Sequence, residues 1–141
     1  MEKDYWEHFY HQADIGIRGI SPNREDAFAQ AALALIAVIT PPEMVKPLLE
    51  VDIHCQEEDD DYLFYAWINA IIYEIATRKM LFTRFRVQIS PAGELTARAW
   101  GEPIDPSRHQ PTVEVKGATF TCLKVEQDPT GLWSAQCVVD V

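Results

Sequence analysis

Two aspartates and one chain end carry the chemistry this sequence offers most directly. In "HQADIGIRG" (His11–Gly19) and "CVVDV" (Cys137–Val141), Asp14 and Asp140 each stand at the edge of an apolar run with strand-like alternation. The α-carboxylate of Val141 follows Asp140 by one residue. Two carboxylates about 4 Å apart repel by about 4 kcal/mol at an effective dielectric of 20. A shared proton, a cationic side chain or a metal ion relieves that repulsion. An all-oxygen donor set suits a hard divalent cation, and Ca²⁺ tolerates irregular geometry at about 2.3–2.6 Å. Lys116, near the end of the chain, is the cationic alternative or neighbour. The competing reading is that both aspartates end their strands in water; spacing alone leaves both open.

Other chemistry is sparser. No GxSxG elbow, P-loop, GxGxxG or HExxH occurs, so no covalent or metal-hydrolase motif is visible. Cys55, Cys122 and Cys137 form no CxxC pair, and each reads as a small buried hydrophobe. The histidines read as surface or hydrogen-bonded structural groups. His11 stands apart because it precedes Asp14 by three residues, and His109 sits beside Arg108 and four residues after Asp105. The acidic run Glu57–Asp61 lacks the glycine and ligand spacing of a calcium loop and reads as a solvated helix start.

The elements that must position these groups follow from the pattern of apolar residues. Strands are expected at 5–10 and 14–20. A helix follows from a Ser21 cap to Ile39, with Phe28, Ala31, Ala32, Leu35 and Ile39 as its buried stripe, stopped by Pro41 and Pro42. A strand at 48–56, with Leu49, Val51, Ile53 and Cys55 inward, leads to a second helix burying Phe64, Trp67, Ile68, Ile71, Ile72 and Ile75. Strands are expected at 82–89, 95–100, 113–125 (bent at Gly117) and 132–141, with "GEPIDPSRHQP" as a long polar loop. The order β-β-α-β-α-β-β-β-β predicts an α+β domain spanning 1–141, two helices on a large, mainly antiparallel mixed sheet.

Charge narrows the partners. With 22 acidic and 12 scattered basic residues the net charge is −10. Tight, unaided nucleic-acid binding needs clustered Lys and Arg and is not expected. A cation, or a protein with a basic face, fits better. Glu2, Lys3 and Asp4 interrupt any apolar leader, and no run is long enough to span a membrane, so a cytoplasmic protein is expected.

The motifs resemble those of the archease family. "HQADIGIRG" is similar to that family's HTADIGI signature, "GEPIDPSRH" with "VEVKGATF" to its GE-x-x-D-x-x-RH and VKAVTYH stretches, and "CVVDV" to its chain end. "DAFAQAALAL" and "LFYAWINAIIYE" match in place and character. The resemblance implies an archease-like fold and a non-catalytic protein cofactor of the GTP-dependent RNA ligase of tRNA splicing and RNA repair. It would promote formation of the ligase–GMP intermediate and multiple turnover. It implies a divalent metal, calcium, held by Asp14, Asp140 and Val141, with Lys116 functionally important and His11, Asp105, Arg108 and His109 at motif positions. Gln12, Gly117, Phe120 and Thr121 depart from the family pattern. The alternatives are a small metal-dependent phosphoesterase acting alone, or an interaction domain without metal.

Overall fold

The computed structural model describes residues 4–141. A hairpin of β1 (Tyr5–His11) and β2 (Asp14–Ser21) leads into α1 (Arg24–Ile39). A 3₁₀ turn at Pro42–Met44, β3 (Leu49–Gln56) and α2 (Asp60–Arg78) come next. Then follow β4 (Met80–Ile89), β5 (Glu94–Pro103), the single-turn α3 (Pro106–His109), β6 (Gly117–Ala118), β7 (Lys124–Gln127) and β8 (Trp133–Asp140). Among the described residues no helix is long and apolar enough to cross a membrane.

The α+β class holds, with helices packed on antiparallel sheet. The expected large mixed sheet is divided in two. One sheet runs β1-β2-β8, with β6 and β7 both pairing β8; the other runs β3-β5-β4. Every pairing is antiparallel. The division follows from α1, which packs on β2 of one sheet and β4 of the other and so keeps them on separate flanks. Phe28 and Leu35 of α1 and Phe64, Trp67 and Ile71 of α2 are fully shielded. The Trp67 indole N–H donates to Phe28 O at 3.0 Å, so the largest core side chain leaves no polar atom unpaired.

Local chemistry sets the helix ends. Asn23, not Ser21, caps α1, its side chain accepting from Asp26 N at 2.8 Å. Ser21 is instead buried and donates to Asp4. Thr40 turns extended ahead of Pro41, as steric pressure from the proline ring demands. Asp59 caps α2, Asp60 pairs with Arg24, and the Asp61 carboxylate accepts from Val125 N at 2.8 Å. The acidic run is thus a helix start that also ties down β7.

The expected strand at 113–125 is broken. Only Gly117–Ala118 and Lys124–Gln127 pair with β8, and the chain turns between them with Cys122 in the left-handed region at φ 57°. The bend falls after Gly117 because Thr119 and Thr121 bond the two sides of Val138 and pull the segment over that residue. Cys122 is exposed rather than core, while Cys55 and Cys137 are buried, and desolvation pushes their thiols up to about 11 and about 12. Leu49 is exposed, because it lies at the open end of an edge strand. Ile75 is half-buried, on the rim of a cleft.

Gly19 is one of the closest approaches in the fold. A Cβ there would lie 2.0 Å from Ala27 O and 2.3 Å from Ala31 N of α1. Gly117 is open by contrast, its nearest neighbour being Asn69 Oδ1 at 3.5 Å. Gly19→Ala is therefore expected to cost about 3 kcal/mol by overpacking. Gly117→Ala should stay within about 0.5 kcal/mol of the parent, as substitutions away from tight packing do. Urea unfolding of the two variants side by side checks this, and equal midpoints would refute it.

Candidate functional site

Strand register decides whether the two aspartates meet. β1 and β2 pair His11 with Asp14 directly across the hairpin, with Gln12 taking a left-handed φ of 55° in the turn. β2 and β8 pair Ile15 with Val139. One step further along that ladder sets Asp14 opposite Asp140. Residues directly opposite point to the same face with Cβ atoms about 4.5–5.5 Å apart. By strand alternation His11, Asp14 and Asp140 lie on one face of three adjacent strands, the face that carries Glu7, Arg18 and Gln136 further along. Asp14 is half-buried, and Asp140 and Val141 are exposed.

Lys116 joins the row through its backbone. β6 pairs Gly117 with Asp140, and Lys116 N donates to Asp140 O at 2.7 Å. The segment carrying Lys116 is thereby fixed beside the Asp140–Val141 end, and Asn69 of α2 supports it by accepting from Ala118 N at 2.9 Å. The donors available at this edge are two carboxylate side chains and the Val141 main-chain carboxylate. That hard-oxygen set fits a calcium-like ion. Among the described residues no group of three His, Cys, Asp or Glu side chains is placed to hold a metal ion.

Asp105, Arg108 and His109 form a second cluster, organised around Glu102. Glu102 is only 4% exposed. Its Oε1 accepts from Arg108 Nη2 at 2.6 Å, and its Oε2 accepts from Lys46 N at 2.8 Å and His109 Nε2 at 2.9 Å. His109 Nδ1 accepts from Asp105 N at 2.9 Å, so its ring hydrogen sits on Nε2. The Asp105 carboxylate caps α3 through the Ser107 N–H and hydroxyl. Arg108 also donates to Met44 O at 2.8 Å. These bonds run to Glu102, Met44 and Ser107, not to Asp14 or Asp140. His109 is the hydrogen-bonded structural histidine expected, and His8 is another, bonded to Ala34 O at 2.8 Å. Glu102 was not among the residues singled out by spacing. Only its place inside "GEPIDPSRH" marks it, because strand alternation puts it on a face that covering loops then bury.

With this geometry in view, comparison with known proteins is decisive. A sequence model described as "Archease protein family (MTH1598/TM1083)" matches residues 6–141. This chain belongs to the archease family. It is 38% identical over 139 residues to protein archease of Pyrococcus furiosus, covering 96% of this chain and 98% of that one. Protein archease of Methanopyrus kandleri is 36% identical, with 96% and 99% covered. The solution structure of Methanobacterium thermoautotrophicum protein 1598 superposes with a TM-score of 0.84 at 30% identity, covering 96% of this chain and 98% of that one. The archease fold is thus retained across nearly the whole chain.

The Glu102 carboxyl is held well below its usual 4.5, at about 2. The Arg108 hydrogen bond is the largest cause; it outweighs desolvation, and the Lys46 N–H and His109 add to it. A folded-state pKa below the unfolded one stabilises the protein above about pH 4.5, and the stabilisation disappears as pH falls towards 2. The shift corresponds to roughly 3 kcal/mol. Glu102→Gln should therefore be less stable at pH 7, with the gap closing on acidification between 4.5 and 2. Urea midpoints across that range check it; a gap independent of pH would refute the assignment.

Proposed function

We propose that this protein is a metal-binding cofactor of a GTP-dependent RNA ligase, acting in tRNA splicing or RNA repair without ligating RNA itself. Membership of the archease family supports the role of protein cofactor in tRNA splicing. The observation that supports the metal reading is the register of β2 on β8, which pairs Ile15 with Val139, the immediate neighbours of Asp14 and Asp140. Two carboxylates brought close together there would favour a bound cation. Asp14, Asp140 and Val141 would hold a calcium-like ion. When bound, it supplies positive charge to a phosphate-bearing partner site. Lys116 offsets the remaining negative charge at the same edge. The net charge of −10 fits contact with a basic face of the ligase rather than with RNA.

Calcium titration by calorimetry on wild type, Asp140→Asn and a form extended beyond Val141 tests the site. Fewer charged ligands weaken calcium binding, so both variants should bind roughly tenfold more weakly or worse. Unchanged affinity in both would place the ion elsewhere. Multiple-turnover ligation by the cognate ligase should rise with wild type and lose that rise with Asp14→Asn and Lys116→Ala. No stimulation at any GTP concentration would sink the cofactor reading. Metal-dependent hydrolysis of phosphate esters by the purified protein alone would favour the phosphoesterase in its place.

A further inference from the structure

Among the described residues four polar or charged ones are buried: Ser21, Thr40, Glu102 and His109. Three of them form one connected network. Glu102 binds the His109 ring, and the His109 carbonyl accepts from the Thr40 hydroxyl at 2.7 Å. Thr40 is the residue at which α1 ends. The buried carboxylate collects an arginine, a histidine and a backbone N–H, so both of its oxygens are hydrogen-bonded, and such satisfied networks rigidify what they touch.

What they touch is the segment from Gln110 to Lys116. Beyond the bond from Gln110 N to Pro106 O that closes α3, this stretch belongs to no strand or helix. It starts from Gln110, in the left-handed region at φ 47°. Thr112 N then donates to Ile39 O at 3.0 Å, and the Thr112 hydroxyl reaches Val38 O and Ile39 O. These are the last carbonyls of α1, which a helix leaves unsatisfied. Val115 inserts into the core at 6% exposure, and Lys116 N reaches Asp140 O. The chain therefore runs from a fixed point at His109, over the end of α1, to the edge that carries Asp14 and Asp140.

We propose that Glu102 is a positioning residue: with His109 and Thr40 it anchors segment 110–116 on the end of α1 and so sets Lys116 beside Asp140. The proposal rests on the cofactor reading for its functional consequence, and on the hydrogen-bond network alone for its structural one. Arg108 clamps the other side of the same carboxylate to Met44 O, so the anchor grips both the 3₁₀ turn and α3. The Glu102 hydrogen bonds run to Lys46, Arg108 and His109, not to Asp14 or Asp140.

Amide hydrogen exchange tests the structural half without any ligase. In Glu102→Gln the amides of Thr112 and Lys116 should exchange at least tenfold faster than in wild type. Ladder amides of β2 and β8 should keep their rates after correction for global stability. Thr40→Val breaks the same network from its far end and should show the same local pattern, which decides the matter if Glu102→Gln does not fold. Unchanged exchange at both amides would overturn the anchor. For the functional half, Glu102→Gln should lower the maximal stimulated ligation rate while leaving calcium affinity within twofold. Combined with Lys116→Ala it should produce no further loss. Fully additive losses would overturn positioning through Lys116. If wild type fails to stimulate any ligase while exchange rises as expected, the cofactor reading falls and the anchor stands.

Discussion

The pairing of β2 with β8 in one register, Ile15 against Val139, is the constraint on which the remainder depends. It joins the beginning of the chain to its end. A slip by one residue would turn Ile15, Ile17, Cys137 and Val139 out of the core and the aspartates into it. The register is held from the inner side by α1. Gly19, lacking a Cβ, lets the helix backbone at Ala27 and Ala31 lie directly on β2, and a shifted strand would put a side chain there. Core packing and site geometry are therefore one requirement seen from the two faces of one sheet.

The same pairing explains why β8 takes three partners. β2 occupies one edge, while β6 and β7 share the other, with the turn at 119–123 between them. Thr119 and Thr121 bond the main chain on both sides of Val138 and cover it, so a residue on the outward face is only 1% exposed. Breaking the strand at this point frees Gly117 and Lys116 to approach Asp140.

Charge is handled differently at the two clusters. Glu102 is desolvated and paired with Arg108 and His109, which suits a group whose work is to hold its neighbours. Asp14 and Asp140 remain partly or fully accessible, and accessible carboxylates can exchange water for an ion. Burial thus separates an anchoring carboxylate from two ligand-like ones of similar intrinsic chemistry.

Much was legible from residue order alone. Helical periodicity located α1 and α2 and most of their buried faces, because a stripe at spacings of three and four has one low-energy solution against a sheet. Alternation located β2, β5 and β8, and the motifs around Asp14, Lys116 and Asp140 pointed to the family. Other features were decided by contacts between residues distant in the chain. Ser21 has a good capping side chain, yet Asp4 claims its hydroxyl and Asn23 caps instead. Glu102 reads as a solvated loop acid until Lys46, Arg108 and His109 close over it. The strand ends that carry Asp14 and Asp140, separated by most of the chain, are brought side by side only through the ladder that pairs Ile15 with Val139. Local sequence determines which backbone states are cheap; which side chains meet is determined by the register and burial that tertiary packing alone selects.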